Sequence, residues 1–184
     1  SRGANGGKLK NAICAPKGHV IIDSDSAQIE ARVLAWLAGQ TDLVQDFKEG
    51  RDVYKIMAAA IYNKGIDEIQ KEERFVGKTT ILGSGYGMGA KKFQAQLKTF
   101  GTDISEGEAL HIIDVYRSTY PMIPKLWSQA GEAIEAMAMN QSVPFGNGRV
   151  SVAAKAGILM PNGLYQRYPN LRLVLDDNGR NQYV

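Results

Sequence analysis

At 184 residues, 44% hydrophobic and 22% charged, the chain is long enough to bury one sizeable core and is not of disordered composition. No apolar run approaches the ~18 residues of a membrane span, no signal peptide opens the chain, and the single cysteine, Cys14, excludes internal disulfides and argues against a cysteine-based zinc site. A net charge of +3 is too small by itself to mark a nucleic-acid binder, and a reducing compartment fits.

The distribution of charge says more than its sum. Residues 1–18 carry Arg2, Lys8, Lys10 and Lys17 with no acid. Residues 71–98 carry Lys71, Arg74, Lys78, Lys91, Lys92 and Lys98 against Glu72 and Glu73, and residues 99–139 reverse the sign. Such runs are commonly solvated faces, yet two separate basic segments leave room for a polyanionic partner.

In chain order, "HVIIDSD" (His19–Asp25) reads as a short strand ending in carboxylates. "AQIEARVLAWLAG" reads as a helix stopped by Gly39, and Thr41 or Asp42 could cap a short helix closing at Gly50. "DVYKIMAAAIYN" is a further helix, broken from Asn63 to Gly65, and another runs from Glu72 to about Leu82. Ser105 with Glu108 forms a capping box for "EALHIIDVYRSTY", and "IPKLWSQAGEAIEAMAMN" has the pattern of a long amphipathic helix. After Asn140 the turn signals "FGNG", "MPNG" and "DDNG" separate the strand-like runs "RVSVAA", "LYQRY" and "LRLVL", and the closing "NQYV" reads as a strand start with no partner.

Gly77-Lys78-Thr79 has the wording of a P-loop tail. The glycine such a loop needs five residues earlier is replaced by Glu72, and no apolar strand precedes it, so that reading fails. Arg74, Lys78, Leu82 and Tyr86 instead recur every four residues, forming one slowly turning stripe along roughly 18 Å of helix. Arg offers a planar fork to phosphate oxygens and Lys a mobile charge, both in the first turns, where the helix dipole favours an anion. Tyr86 stands between Gly85 and Gly87, where a flat base could stack. Cation, cation, apolar contact and aromatic is the order of a nucleoside triphosphate laid along a helix. Spacing alone leaves open a solvated Arg/Lys face with a buried tyrosine. On "HVIIDSD", alternation puts Ile21, Asp23 and Asp25 on one face; two acids at a strand end suit a hard cation such as magnesium, or one of them caps the following helix.

Together, "DSAQIEAR" (Asp25–Arg32) and "RFVGKTTILGSGYG" (Arg74–Gly87) resemble motifs A and B of family A DNA polymerases, the DNA polymerase I-like enzymes. The resemblance runs from about Lys8 through "AICAPKGHVIIDSD", "FKEGRDVYKIMAAAIY" and "YRSTYPMIPKLW" to about Arg149, and "IEARVLAWLAG" looks most like bacteriophage members. It implies an α+β, mostly helical fold: a palm strand with motif A in residues 1–40, helical fingers with motif B in 41–140, and a hairpin region in 141–184, with thumb and remaining palm absent. It implies template-directed DNA synthesis with deoxynucleoside triphosphates and primer-template DNA as partners and two magnesium ions; composition points to no membrane, and the sequence holds no evidence for a homo-oligomer. The setting would be cytoplasmic, or the host's cytoplasm for a phage protein.

By the same resemblance, Asp25 and the Ser26 carbonyl would bind metal, and Glu30 would be the steric gate against a ribose 2′-hydroxyl. Gln28 and Ile29 would lie near the incoming nucleotide. Arg74 and Lys78 would grip the triphosphate, Lys78 also serving as proton donor to pyrophosphate. Leu82 would pack on the sugar, and Tyr86 with Gly87 would contact DNA at the insertion site. Ala27 departs from the usual serine, losing a capping hydroxyl; Leu82 replaces an aromatic; Tyr54 stands where many members have a phosphate-contacting histidine; Asp23 has no assigned task. Motif C, His-Asp-Glu, is not present: neither His19 nor His111 precedes Asp-Glu, and Asp176 and Asp177 sit in a hairpin-turn signal too close to motif B. The second metal carboxylate would lie outside this chain, which alone would not be catalytic. A single-subunit RNA polymerase shares the stripe but has no use for Glu30 as a gate, and a non-catalytic DNA-binding module would ignore triphosphate.

Overall fold

The computed structural model describes residues 12–154, 156–175, 179 and 181–184. Among them the chain forms seven α-helices followed by short antiparallel strands, so the mostly helical α+β expectation holds. The helices are α1 (Ile29–Ala38), α2 (Thr41–Lys48), α3 (Val53–Tyr62), α4 (Lys71–Ser84), α5 (Ala90–Thr99), α6 (Glu106–Thr119) and α7 (Met122–Ala138).

Their boundaries follow local chemistry. Gly39 ends α1 in the left-handed conformation (φ 73°), which costs glycine nothing. Neither Thr41 nor Asp42 caps α2. Its cap position falls on Gln40, whose Nε2 donates to Asp42 Oδ1 and whose Oε1 accepts from the Met122 backbone, tying the α1–α2 corner to the start of α7. Asp52 caps α3, and Ser105 with Glu108 forms the expected reciprocal box on α6. The helix α5 is an addition to the elements read from sequence; Phe93 and Leu97, four residues apart, are its fully buried face.

One core joins all seven helices. Ala31, Ala35 and Ala38 of α1 meet Leu43 and Phe47 of α2, Val53 and Met57 of α3, Val76 and Ile81 of α4, Phe93 and Leu97 of α5, Ile112 and Tyr116 of α6, and Ile123 and Leu126 of α7. The tightest crossing is that of α3 with α4. A Cβ at Gly77 would lie 2.2 Å from the Tyr54 carbonyl oxygen, so only glycine lets these backbones approach. This explains the glycine of Gly-Lys-Thr: it serves helix packing, and Thr79 and Thr80 turn their hydroxyls back onto the carbonyls of Phe75 and Val76.

A four-stranded antiparallel sheet follows: β1 (Pro144–Phe145), β2 (Val150–Ala153), β3 (Gly157–Leu159) and β4 (Tyr165–Gln166), in that spatial order. Val152 pairs with Ile158 and Leu159 with Tyr165. Val150, Val152 and Ile158 close a second cluster against Ala133 of α7. Strands β5 (Leu173–Leu175) and β6 (Asn181–Tyr183) form a separate antiparallel pair with Val174 opposite Gln182. The final run, read as a strand without a partner, therefore has one in β5; Asp176 and Asp177 lie outside the described residues, as do Arg2, Lys8 and Lys10.

The strand expected at His19–Asp25 does not form. Residues 19–26 adopt no ladder, and Val20, Ile21 and Ile22 are 83%, 55% and 86% exposed. Strand geometry needs a neighbour to accept and donate its backbone hydrogen bonds, and none lies beside this run among the described residues.

A candidate nucleotide site between two helices

The stripe read from sequence is carried mainly by α4. Arg74, Lys78 and Leu82 lie within it, whereas Tyr86 falls just beyond its end, on the turn in which the Tyr86 and Gly87 amides donate to the Gly83 and Ser84 carbonyls. Lys78 is exposed, Leu82 half-buried, and Tyr86 72% exposed. The buried-tyrosine alternative thus does not describe this helix. A large ring held out in solvent at the mouth of a cavity is placed to receive a flat partner.

The dipole argument needs correction. The first turn of α4 already holds Glu72 and Glu73, and Glu73 accepts from the Gln70 amide and from Lys64. The Lys64 hydrogen bond leads in holding the Glu73 carboxyl below its ordinary range. An anion bound by Arg74 and Lys78 would rely on their side chains, one and two turns further along.

Arg74 is placed by α3. Its Nε donates to Asp52 Oδ2 at 2.7 Å, and its guanidinium carbon lies 5.2 Å from the centre of the Tyr54 ring. Burial pushes the Asp52 carboxyl up, but hydrogen bonds from Arg74, Lys55 and Tyr54, with the Arg74 charge, outweigh it and hold the group below its ordinary value. Sequence reasoning recognised neither role. Asp before an apolar helix reads as a cap, and its second partner, 22 positions away, leaves no local signature.

On the other side stands the turn before α1. Gln28 is left-handed (φ 57°) at the cap position and its side chain does not cap the helix; Ala27, read above as losing a capping hydroxyl, lies one residue before the cap. Arg32 holds this turn: its Nε donates to the Ala27 carbonyl (3.0 Å), Nη2 to Gln28 Oε1 (3.5 Å) and Nη1 to the Phe47 carbonyl (3.2 Å), while its guanidinium covers the Phe47 ring at 4.7 Å.

Between α1 and α4 lies a cavity of about 580 Å³. Ile29, Glu30 and Val33 line it from α1, Leu82, Gly85 and Tyr86 from α4 and the turn after it, and Trp127 from α7. The structure therefore brings Ile29, Glu30, Leu82 and Tyr86 together. Asp25, Ser26, Gln28, Arg74 and Lys78 are not among its lining residues; Asp25 and Ser26 are exposed on the unpaired run ahead of α1. A second hollow of about 580 Å³ opens from Tyr86 and Gly87 toward Lys91 and Lys92 at the start of α5. Part of the basic stretch faces the acidic one that follows it, with Lys91 near Glu106 and Lys98 near Asp103 at 3.9 and 4.0 Å, exposed pairs of little energetic weight.

Residues 1–150 match DNA polymerase family A. The chain is 35% identical over 131 residues to DNA polymerase I of Treponema pallidum (strain Nichols), covering 71% of this chain and 13% of that protein. It is 29% identical over 175 residues to the DNA polymerase of Bacillus phage SP02, covering 92% of this chain and 27% of that one. A solved structure described as the POL domain of Pol1 from M. smegmatis, complexed with DNA primer-template and dNTP, matches 68% of this chain and 21% of its own at 26% identity and a TM-score of 0.50. The chain belongs to DNA polymerase family A. It spans between 13% and 27% of the length of the two polymerases named by sequence.

Proposed function

We propose that this chain supplies the nucleotide-binding part of a template-directed DNA polymerase. Residues 1–40 would contribute to the palm, 41–140 would form the fingers, and 141–184 an attached hairpin region. The observation that carries the reading is the shared cavity: it is lined by Glu30 of α1, by Leu82 of α4 and by Tyr86 on the turn after it, with Lys78 and Arg74 one and two turns back from Leu82 along α4. A deoxynucleoside triphosphate would place its sugar between Glu30 and Leu82, its base against Tyr86, and its phosphates toward Lys78 and Arg74. Primer-template DNA would reach Tyr86 and Gly87, a partner suggested by the complex formed by the mycobacterial relative.

In the reaction a primer 3′-oxygen attacks the α-phosphorus and pyrophosphate leaves. Negative charge grows on the leaving oxygens, where the Arg74 fork and the Lys78 ammonium would stabilise it, and Lys78 would deliver a proton to the pyrophosphate. The Glu30 side chain would occupy the space of a 2′-hydroxyl. Hard divalent cations such as a magnesium pair suit this chemistry, and Asp25 with the Ser26 carbonyl offers oxygen donors of that kind. Among the described residues no three His, Cys, Asp or Glu side chains come together as a metal site, so these two would form only one side of it. A role in DNA synthesis would put the protein in the cytoplasm, or in the host's if it is a phage protein; among the described residues no helix is long and apolar enough to cross a membrane.

The test is calorimetric titration of the 184-residue chain with dATP. Binding is expected, weakened about tenfold or more by Lys78→Ala, the scale of one lost hydrogen bond to a charged group, with thermal stability unchanged. A DNA-binding module would instead bind duplex DNA in a salt-dependent manner and ignore dATP.

A further inference from the structure

Asp52 serves two elements at once. Its Oδ1 accepts from the backbone amides of Tyr54 and Lys55, both at 3.2 Å, which caps α3. Its Oδ2 accepts from Arg74 Nε on α4. The guanidinium carbon meanwhile lies over the ring of Tyr54, 5.2 Å from its centre, and that residue is only 7% exposed. The side chain of Arg74 is thus held at Nε by a carboxylate and flanked by a buried ring. Nη1 and Nη2 have no hydrogen-bond partner among the described residues, and 40% of the side chain is open to solvent.

We propose that Asp52 and Tyr54 are positioning residues for Arg74, holding its two terminal amino groups toward the phosphates of an incoming nucleotide before that nucleotide arrives. The proposal rests on the assignment of Arg74 to the triphosphate made above. Its physical content is preorganisation. A long flexible side chain that is already immobilised loses less freedom when its ligand binds. The Tyr54 ring gives its own support through a cation–π contact, so this position has work to do although a phosphate-contacting histidine is replaced there.

Electrostatics and positioning predict opposite signs, which makes the idea decidable. An acid beside a phosphate site repels the ligand, so on charge alone neutralising Asp52 would tighten binding. If Asp52 acts through Arg74, neutralising it weakens binding. Asp52→Ser keeps a good helix cap but cannot reach Arg74, and Asp52→Asn has one acceptor oxygen for two tasks.

The experiment titrates dATP into the wild-type chain, both Asp52 variants, Arg74→Ala and the double variant Asp52→Ser/Arg74→Ala. Tripolyphosphate and deoxyadenosine serve as separate probes, and melting is followed in parallel. Asp52→Ser and Asp52→Asn are expected to bind dATP and tripolyphosphate roughly 3- to 10-fold more weakly, as for one side chain left to be ordered by the ligand. Deoxyadenosine binding should be unchanged, and the double variant should bind no more weakly than Arg74→Ala. Equal or tighter binding by the Asp52 variants, or losses that multiply in the double variant, would overturn the proposal alone. Absence of dATP binding by the wild-type chain would overturn the functional reading, and the proposal with it.

Discussion

Val53, Met57 and Ala58 on α3 and Val76 on α4 are sealed in the core, while Val20 and Ile22, a few residues ahead of Asp25, stand 83% and 86% exposed. These are the supports of the two motifs. Arg74 and Lys78 ride on a helix locked against its neighbour, with Arg74 held by a carboxylate and a ring from that neighbour. Asp25 rides on a run whose apolar side chains touch little, tethered further on by the three hydrogen bonds of Arg32. A stripe of functional groups on a helix is set within one element. A carboxylate at the end of a strand depends on the sheet that strand joins.

The contrast can be broken most forcefully at Gly77. Gly77→Ala puts a methyl group into the Tyr54 carbonyl, and is expected to cost at least about 1–3 kcal/mol by overpacking, lowering the melting temperature by roughly 2–12 °C. Unchanged melting would mean that α3 and α4 separate easily, and the support of Arg74 would lose its basis.

A smaller effect should appear with pH. The folded Asp52 carboxyl lies below its ordinary value, so its contribution is present above an unfolded pKa of about 3.9 and is lost as pH falls through the folded one. The difference in melting temperature between wild type and Asp52→Asn should be constant above about pH 5 and shrink below about pH 4. A difference that grows on acidification would show that the carboxylate is not stabilised by Arg74.

The smallest effect belongs to the other region. Ile22→Ser removes a side chain that the fold barely contacts, and should shift stability by no more than about 0.5 kcal/mol in chemical denaturation. A loss several times larger would reveal packing around the first motif.

Much of the fold was legible because it is locally encoded. Gly39, Asn63 and the Ser105–Glu108 pair sit at helix ends, and caps, breakers and apolar spacing locate six of the seven described helices. Helix α5 escaped because it carries only two core residues between glycine-rich and polar flanks. The short apolar run that makes His19–Asp25 read as a strand shows that the segment could pair, but not that a partner lies beside it. In the site, the four-residue stripe foretold which side chains of α4 share a face. It could not foretell that Glu72 and Glu73 fill the start of that helix, that Asp52 reaches across to Arg74, or that Trp127 joins the cavity from α7. Those contacts link positions distant in the chain.

Arg32 gives the turn at Ala27–Gln28 a dependence on α2. Its guanidinium bridges acceptors on the turn and the Phe47 carbonyl near the end of that helix, so the turn cannot swing without either taking the helix along or breaking the bridge. The residues just after Asp25 are therefore fastened to α2 through a single side chain, and Arg32 is the link between the first motif and the end of that helix.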